Sequence, residues 1–104
     1  MMYTPEERRT ILYVLSEVML ADGIVHPKEK EFFDKIYNSI GANITDLSTM
    51  EHIDSQYAKN IFEQMDDAKK KFLSKSLFDM AMADGYLDPR EQIVLDFYAS
   101  RISS

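Results

Sequence analysis

Apolar residues recur along this chain at intervals of three and four, the spacing that lines one face of a helix. Ile11, Leu12, Leu15, Val18 and Met19 form one such stripe and predict a helix from about Pro5 to Ala21. Phe32, Phe33, Ile36, Tyr37 and Ile40 form a second, over about Pro27 to Ile40, with Gly41 placed to end it in a left-handed turn. Tyr57, Ile61, Phe62 and Met65 predict a third helix over Ser55 to Met65. Phe72, Leu73, Leu77, Met80 and Ala81 predict a fourth, capped by Asp66 or Asp67 and running to about Ala83. Val94, Leu95, Tyr98 and Ile102 predict a fifth from Pro89 to about Ile102. Between the second and third, "ITDLSTMEHID" offers capping residues in Thr45, Asp46 and Ser48, with Glu51 three after Ser48, and predicts a short helix or turn. No stretch alternates apolar and polar positions as a half-buried strand would. The expected fold class is all-α, a compact bundle of about five helices.

The three prolines mark helix starts, in "TPEE", "HPKE" and "DPRE". At the first helical position the missing proline N–H costs nothing, and a glutamate two residues later reaches back to the cap. Thr4 and Asp88 are good caps, whereas His26 is a poor one.

Two of these starts belong to a repeat. "ADGIVHPKE" at positions 21–29 returns as "ADGYLDPRE" at positions 83–91, so Asp22 and Asp84 lie 84 − 22 = 62 residues apart. At that offset Leu15 and Leu77, Gly23 and Gly85, Pro27 and Pro89, Glu29 and Glu91, Asp34 and Asp96, and Ile40 and Ile102 are identical pairs. The chain therefore reads as one domain over residues 1–104, with one helical hairpin at about 5–40 and its copy at about 66–102. The two halves are expected to pack about a pseudo-twofold axis with their elbows near one another.

Each elbow carries oxygen ligands. An acidic residue before glycine, a branched apolar residue two after it and a glutamate six after it match the second half of an EF-hand loop. The positions two and four residues before the aspartate hold Leu20 and Val18, and Met82 and Met80, where a calcium loop needs oxygens. A true EF-hand is therefore not expected, and any ion held by one loop is bound weakly. Glu29 and Glu91 have a second reading as helix caps, the role of Glu7, which has no such loop beside it. Two readings also stand for Asp22 and Asp84. Either they accept loop N–H groups, or they share a cation with the glutamates across one loop or between both. A carboxylate in the last turn of a helix opposes the helix dipole at a cost of roughly 0.3 to 1 kcal/mol, and the chain accepts this twice. Gly23 and Gly85 end helices and are expected at positive φ.

The double "ADG-x-apolar-x-x-x-E" motif, joining helices about sixty residues apart in an all-helical chain, resembles the TerB-like family. That family takes in tellurite-resistance protein B and a domain of membrane-anchored J-domain co-chaperones. The resemblance covers most of the chain, from the first helix to the fifth. It implies a non-enzymatic helical domain in bacterial stress response near the membrane. It also implies divalent metal, such as calcium, weakly bound at Asp22, Glu29, Asp84 and Glu91. The chain is shorter than many members, and tellurite resistance itself does not follow from these residues.

Charge narrows the partners. The net charge of −6 and pI of about 4.8 repel phosphate backbones, which argues against nucleic acid and for cations or basic protein surfaces. The one basic run, Lys69 to Lys71, follows Asp66 and Asp67 and reads as a helix with favourable i,i+4 pairs. There are no cysteines, so disulfides and thiolate metal sites are excluded. No window approaches the ~18 apolar residues that span a bilayer, and "MMYTPEERRT" lacks a secretory core. Membrane insertion is not expected, and the cytoplasm is the expected location. His26 and His52 fit no triad or zinc motif, and no Gly-rich phosphate loop occurs, so no enzymatic activity is expected. A protein partner or a homodimer is expected instead. Most methionines and aromatics read as core, with Phe78 and Phe97 the residues expected on an exposed patch or dimer contact.

Overall fold

The structure, a computed structural model, describes residues 2–21, 23, 25–83 and 89–99, with side chains through residue 96. Among these residues every regular element is helical. In chain order they are α1 (Pro5–Leu20), α2 (Pro27–Ser39), α3 (Ile44–Thr49), a 3-10 turn (Met50–His52), α4 (Ser55–Gln64), α5 (Asp67–Ala81) and α6 (Pro89–Ala99). The predicted helices are all present with starts and ends within about two residues, except that the fifth is described only to Ala99, so Ile102 lies outside. The count of about five becomes six, because the short segment after Ala42 is a helix in its own right.

That segment lies where expected, but its cap is none of the three candidates. Asn43, not Ser48, is the cap: its side chain accepts the Asp46 N–H at 2.9 Å while the Asp46 carboxylate accepts the Asn43 N–H at 3.2 Å. Ser48 lies inside the helix, where its hydroxyl donates to the Thr45 carbonyl at 3.2 Å. Asp46 is buried and also accepts from Arg8 Nε at 2.7 Å, which ties α3 to α1. A six-residue helix shows too few turns for a periodic stripe, so side-chain capping and this ion pair define it instead.

α1 is the centre of the bundle and packs against each of the other helices. Its buried residues are Thr10, Ile11, Leu12, Val14, Leu15, Val18 and Met19. At about 100° per residue these span an arc of roughly 200°, twice the stripe of a surface helix. Val14 and Thr10 fall outside the predicted stripe for this reason. Around α1 the core is completed by Phe33, Ile36 and Ile40 of the α2 hairpin arm, Ala58 and Phe62 of α4, Leu73, Leu77, Met80 and Ala81 of α5, and Leu95 of α6. Truncating Phe62 in such a core costs about 3–5 kcal/mol. Phe32, Tyr37, Ile61, Phe72 and Val94 lie half-buried at its edge.

Helix ends follow local chemistry. Thr4 and Glu7 form the expected capping box on α1. His26 occupies the α2 N-cap without a side-chain capping bond, the weak start that the sequence suggests. α2 ends in a Schellman motif, with Gly41 at φ 72° and the N–H of Ala42 on the Tyr37 carbonyl at 3.0 Å.

The basic run behaves differently from its sequence reading. Lys69 does not pair along its own helix but reaches α1, with Nζ 2.8 Å from Glu7 Oε1. Both side chains are about 15% exposed, at 15% and 14%, so this pair is largely sheltered from water. The ammonium also lies 5.3 Å from the Tyr3 ring centroid, and Tyr3 meets Phe72 at 5.8 Å. Lys69 is the third residue of α5, and that turn faces α1 rather than solvent, which periodicity of charge alone does not reveal.

Candidate functional site

The first elbow runs from α1 through Ala21 and Gly23 to Val25 and His26. Ala21 N–H bonds to the Val18 carbonyl at 3.3 Å, and Gly23 N–H to the Leu20 carbonyl at 2.9 Å. Gly23 stands at φ 80°, as expected, and a Cβ built there would meet nothing within 4 Å. Backbone conformation and not crowding therefore calls for glycine at this position.

The second elbow is described at its entrance. Met82 N–H bonds to the Phe78 carbonyl at 3.0 Å and Ala83 N–H to the Met80 carbonyl at 3.2 Å. Gly85 and the proposed cap Asp88 lie outside the described residues, as do Asp22 and Asp84. Two of the four candidate ligands are thus placed by the structure. Glu29 is the third residue of α2 and Glu91 the third of α6, and their relative exposures are 0% and 2%. Glu7, the capping glutamate of α1, keeps 14% of its side chain exposed. Glu29 and Glu91 instead project into the interior at the positive end of a helix, where a carboxylate gains from the dipole but needs compensating contacts for its desolvation. Among the described residues no three His, Cys, Asp or Glu side chains come together at metal-binding range.

Lys28, next to Glu29, and Ala83, next to Asp84, line one open groove of about 310 Å³ between α2 and α5, together with Glu31, Phe32, Lys35 and Asp79.

Two further concavities lie elsewhere. One, of about 390 Å³, is lined by Arg9, Thr49, His52, Ile53, Asp54 and Tyr57. His52 is exposed and lines this cavity with Arg9, a proximity that residues 43 positions apart do not announce. Asp54 is engaged as the α4 cap, accepting the Tyr57 N–H at 2.8 Å. Next to this cavity burial raises the Tyr13 hydroxyl above its ordinary pKa, and Glu17 and Asp54 add to the shift. The other, of about 170 Å³, lies between α5 and α6 and is lined by Ser74, Leu77, Phe78, Gln92, Leu95 and Asp96. Phe78 is 53% exposed on its rim, in line with the expectation that it belongs to a surface patch. The side chain of Phe97 is outside the described residues. Met82, one turn after Phe78, is also exposed.

No described helix is long and apolar enough to cross a membrane. Comparison of the chain with protein-family models, with curated proteins and with solved structures returns no match.

Proposed function

We propose that this chain is a non-catalytic, TerB-like helical domain that binds a protein partner and holds a weakly bound divalent cation at its elbows. The observation that carries the reading is the pair of buried glutamates, Glu29 and Glu91, each at the third position of the helix leaving an Asp-Gly elbow. Their placement is the expected one for two equivalent hairpins. Further agreement comes from helix starts at Pro5 and Asp67, and at Pro27 and Pro89, each pair separated by the repeat offset (67 − 5 = 62 and 89 − 27 = 62). The hydrogen bond from Ala21 to Val18 recurs as that from Ala83 to Met80, again at that offset. Glu7 and Lys69, the third residues of α1 and α5, are themselves related by it (69 − 7 = 62) and touch. Contact between equivalent positions is what a pseudo-twofold axis passing between α1 and α5 requires. Repeat one, about 5–40, then corresponds to α1 and α2, and repeat two, about 66–102, to α5 and α6.

In this reading Asp22 and Asp84 complete the donor set of Glu29 and Glu91. Carboxylate oxygens suit a hard cation such as calcium, which takes six to eight oxygens, so backbone carbonyls and water supply the remainder and the affinity is low.

A second reading, a partner-binding or dimerising module with purely structural elbows, draws on Gly23. Its positive φ and its N–H bond to the Leu20 carbonyl help close the first elbow through the backbone. Calcium titration followed by amide NMR separates the two. The first predicts saturable shifts confined to residues 22–29 and 84–91, abolished in the double variant Asp22→Asn, Asp84→Asn. Spectra that stay flat at millimolar calcium, with the fold intact, select structural elbows.

A further inference from the structure

We propose that the groove between α5 and α6 is the docking site for an amphipathic basic helix of a partner protein, whose apolar anchor packs on Phe78 while a lysine or arginine reaches Asp96. This rests on the partner-binding reading above and gives that partner a chemistry.

Size excludes the other classes first. A cavity of about 170 Å³ is smaller than the ~300–1,000 Å³ of pockets that enclose small-molecule ligands. It holds roughly the volume of six waters, room for one branched aliphatic or aromatic side chain. Anchors of that kind, seated in a well-packed hole, are how protein interfaces concentrate their affinity.

The lining suits such an anchor. Leu77 and Leu95 are buried and form an apolar floor. Phe78 stands on the rim with about half its surface in water, an exposure that association would remove. Met82, one turn further along α5, extends the apolar strip, and its flexible thioether adapts to different partners. A strip at i and i+4 on one helix is the complement of an amphipathic helix, which presents its own anchors at the same spacing.

Charge sets the sign of the partner. Among the described residues Asp96 is the one ionisable residue lining the groove, and it is exposed. Gln92 Nε2 donates to its Oδ1 at 2.7 Å, which orients the carboxylate. Lys75 and Asp79, one turn apart beside Phe78, offset one another at 3.6 Å. With a chain net charge of −6, the encounter field also selects a basic partner.

The test uses the full chain, isotope-labelled, and three synthetic helical peptides of equal length with leucine at i, i+4 and i+7. Their polar faces are lysine-rich, glutamate-rich or neutral. The expected result is saturable shifts at Ser74, Phe78, Gln92 and Asp96 with the lysine-rich peptide alone. Phe78→Ser is expected to weaken that binding by about tenfold or more, and Asp96→Asn by about two- to fivefold with a shallower salt dependence. Both residues are exposed, so the variants are expected to keep the parent fold, which their spectra report directly. Lysine-rich peptide binding at another face, or equal binding of the glutamate-rich peptide, overturns this proposal while the partner-binding reading stands. Absence of binding by all three peptides overturns the proposal as well, and the partner reading then rests on the oligomer measurement. Concentration-dependent shifts at Phe78 without peptide, with a doubled mass in light scattering, assign the groove to a second copy and also overturn it.

Discussion

At the first turn of α1 the Glu7 carboxylate both caps its own helix, accepting the Thr4 N–H at 2.9 Å, and binds Lys69 of α5 at 2.8 Å. Burial pushes this carboxyl upward. The Lys69 hydrogen bond and charge, with the Thr4 N–H and hydroxyl, outweigh burial and hold it below its ordinary value of 4.5. A group depressed in the folded chain contributes stability above its unfolded pKa and loses it as pH falls through the folded value. Acid titration of stability by circular dichroism is therefore expected to show the intact protein weakening below about pH 4.5. Glu7→Gln should lower stability at pH 7 by about 1 kcal/mol and flatten that acid slope. An unchanged slope in the variant would remove Glu7 from the account. Tyr3, whose ring lies over Lys69, has its hydroxyl pushed up by burial and then by Glu7 and Asp66, so it remains neutral throughout this range.

Among the elements, the short helix α3 depends most on side-chain chemistry. Its capping box and the Arg8–Asp46 pair are the features that hold six residues helical. Asn43→Ala is expected to cost about 1 kcal/mol, and hydrogen exchange of amides 44–49 should accelerate while that of α1 stays protected. Uniform acceleration across the chain would mean that α3 melts only with the whole. Long elements are legible in the sequence because two to three turns of apolar spacing outweigh local ambiguity, as in the stripe from Ile11 to Met19. The cap of α3 is less legible, because a Ser-x-x-Glu pair and an Asn-x-x-Asp pair compete within ten residues and the Arg8 contact with Asp46 favours the second. Val14 and Thr10 were missed for a related reason. A stripe describes a helix against one neighbour, whereas α1 is surrounded. The depth of Glu29 and Glu91 was likewise hidden: capping and burial share the same residue type at the same helix position, and only packing separates them.

For the whole molecule, the central claim is that one helical hairpin was duplicated and its two elbows are alike. The radius of gyration, 12.5 Å, is that of a compact chain of this length, for which about 13 Å is expected, so the two hairpins share a single core around α1. The α5–α6 groove is built by the second hairpin alone, whereas the proposed cation site draws its ligands from both hairpins and needs both in place. The most direct measurement is the backbone conformation of Gly85, from NMR couplings and chemical shifts of the full chain. The account predicts a φ near the 80° of Gly23 and an N–H protected by the Met82 carbonyl, as that of Gly23 is held by Leu20. A negative φ at Gly85, or an exposed amide there, would contradict it and leave the two elbows unrelated.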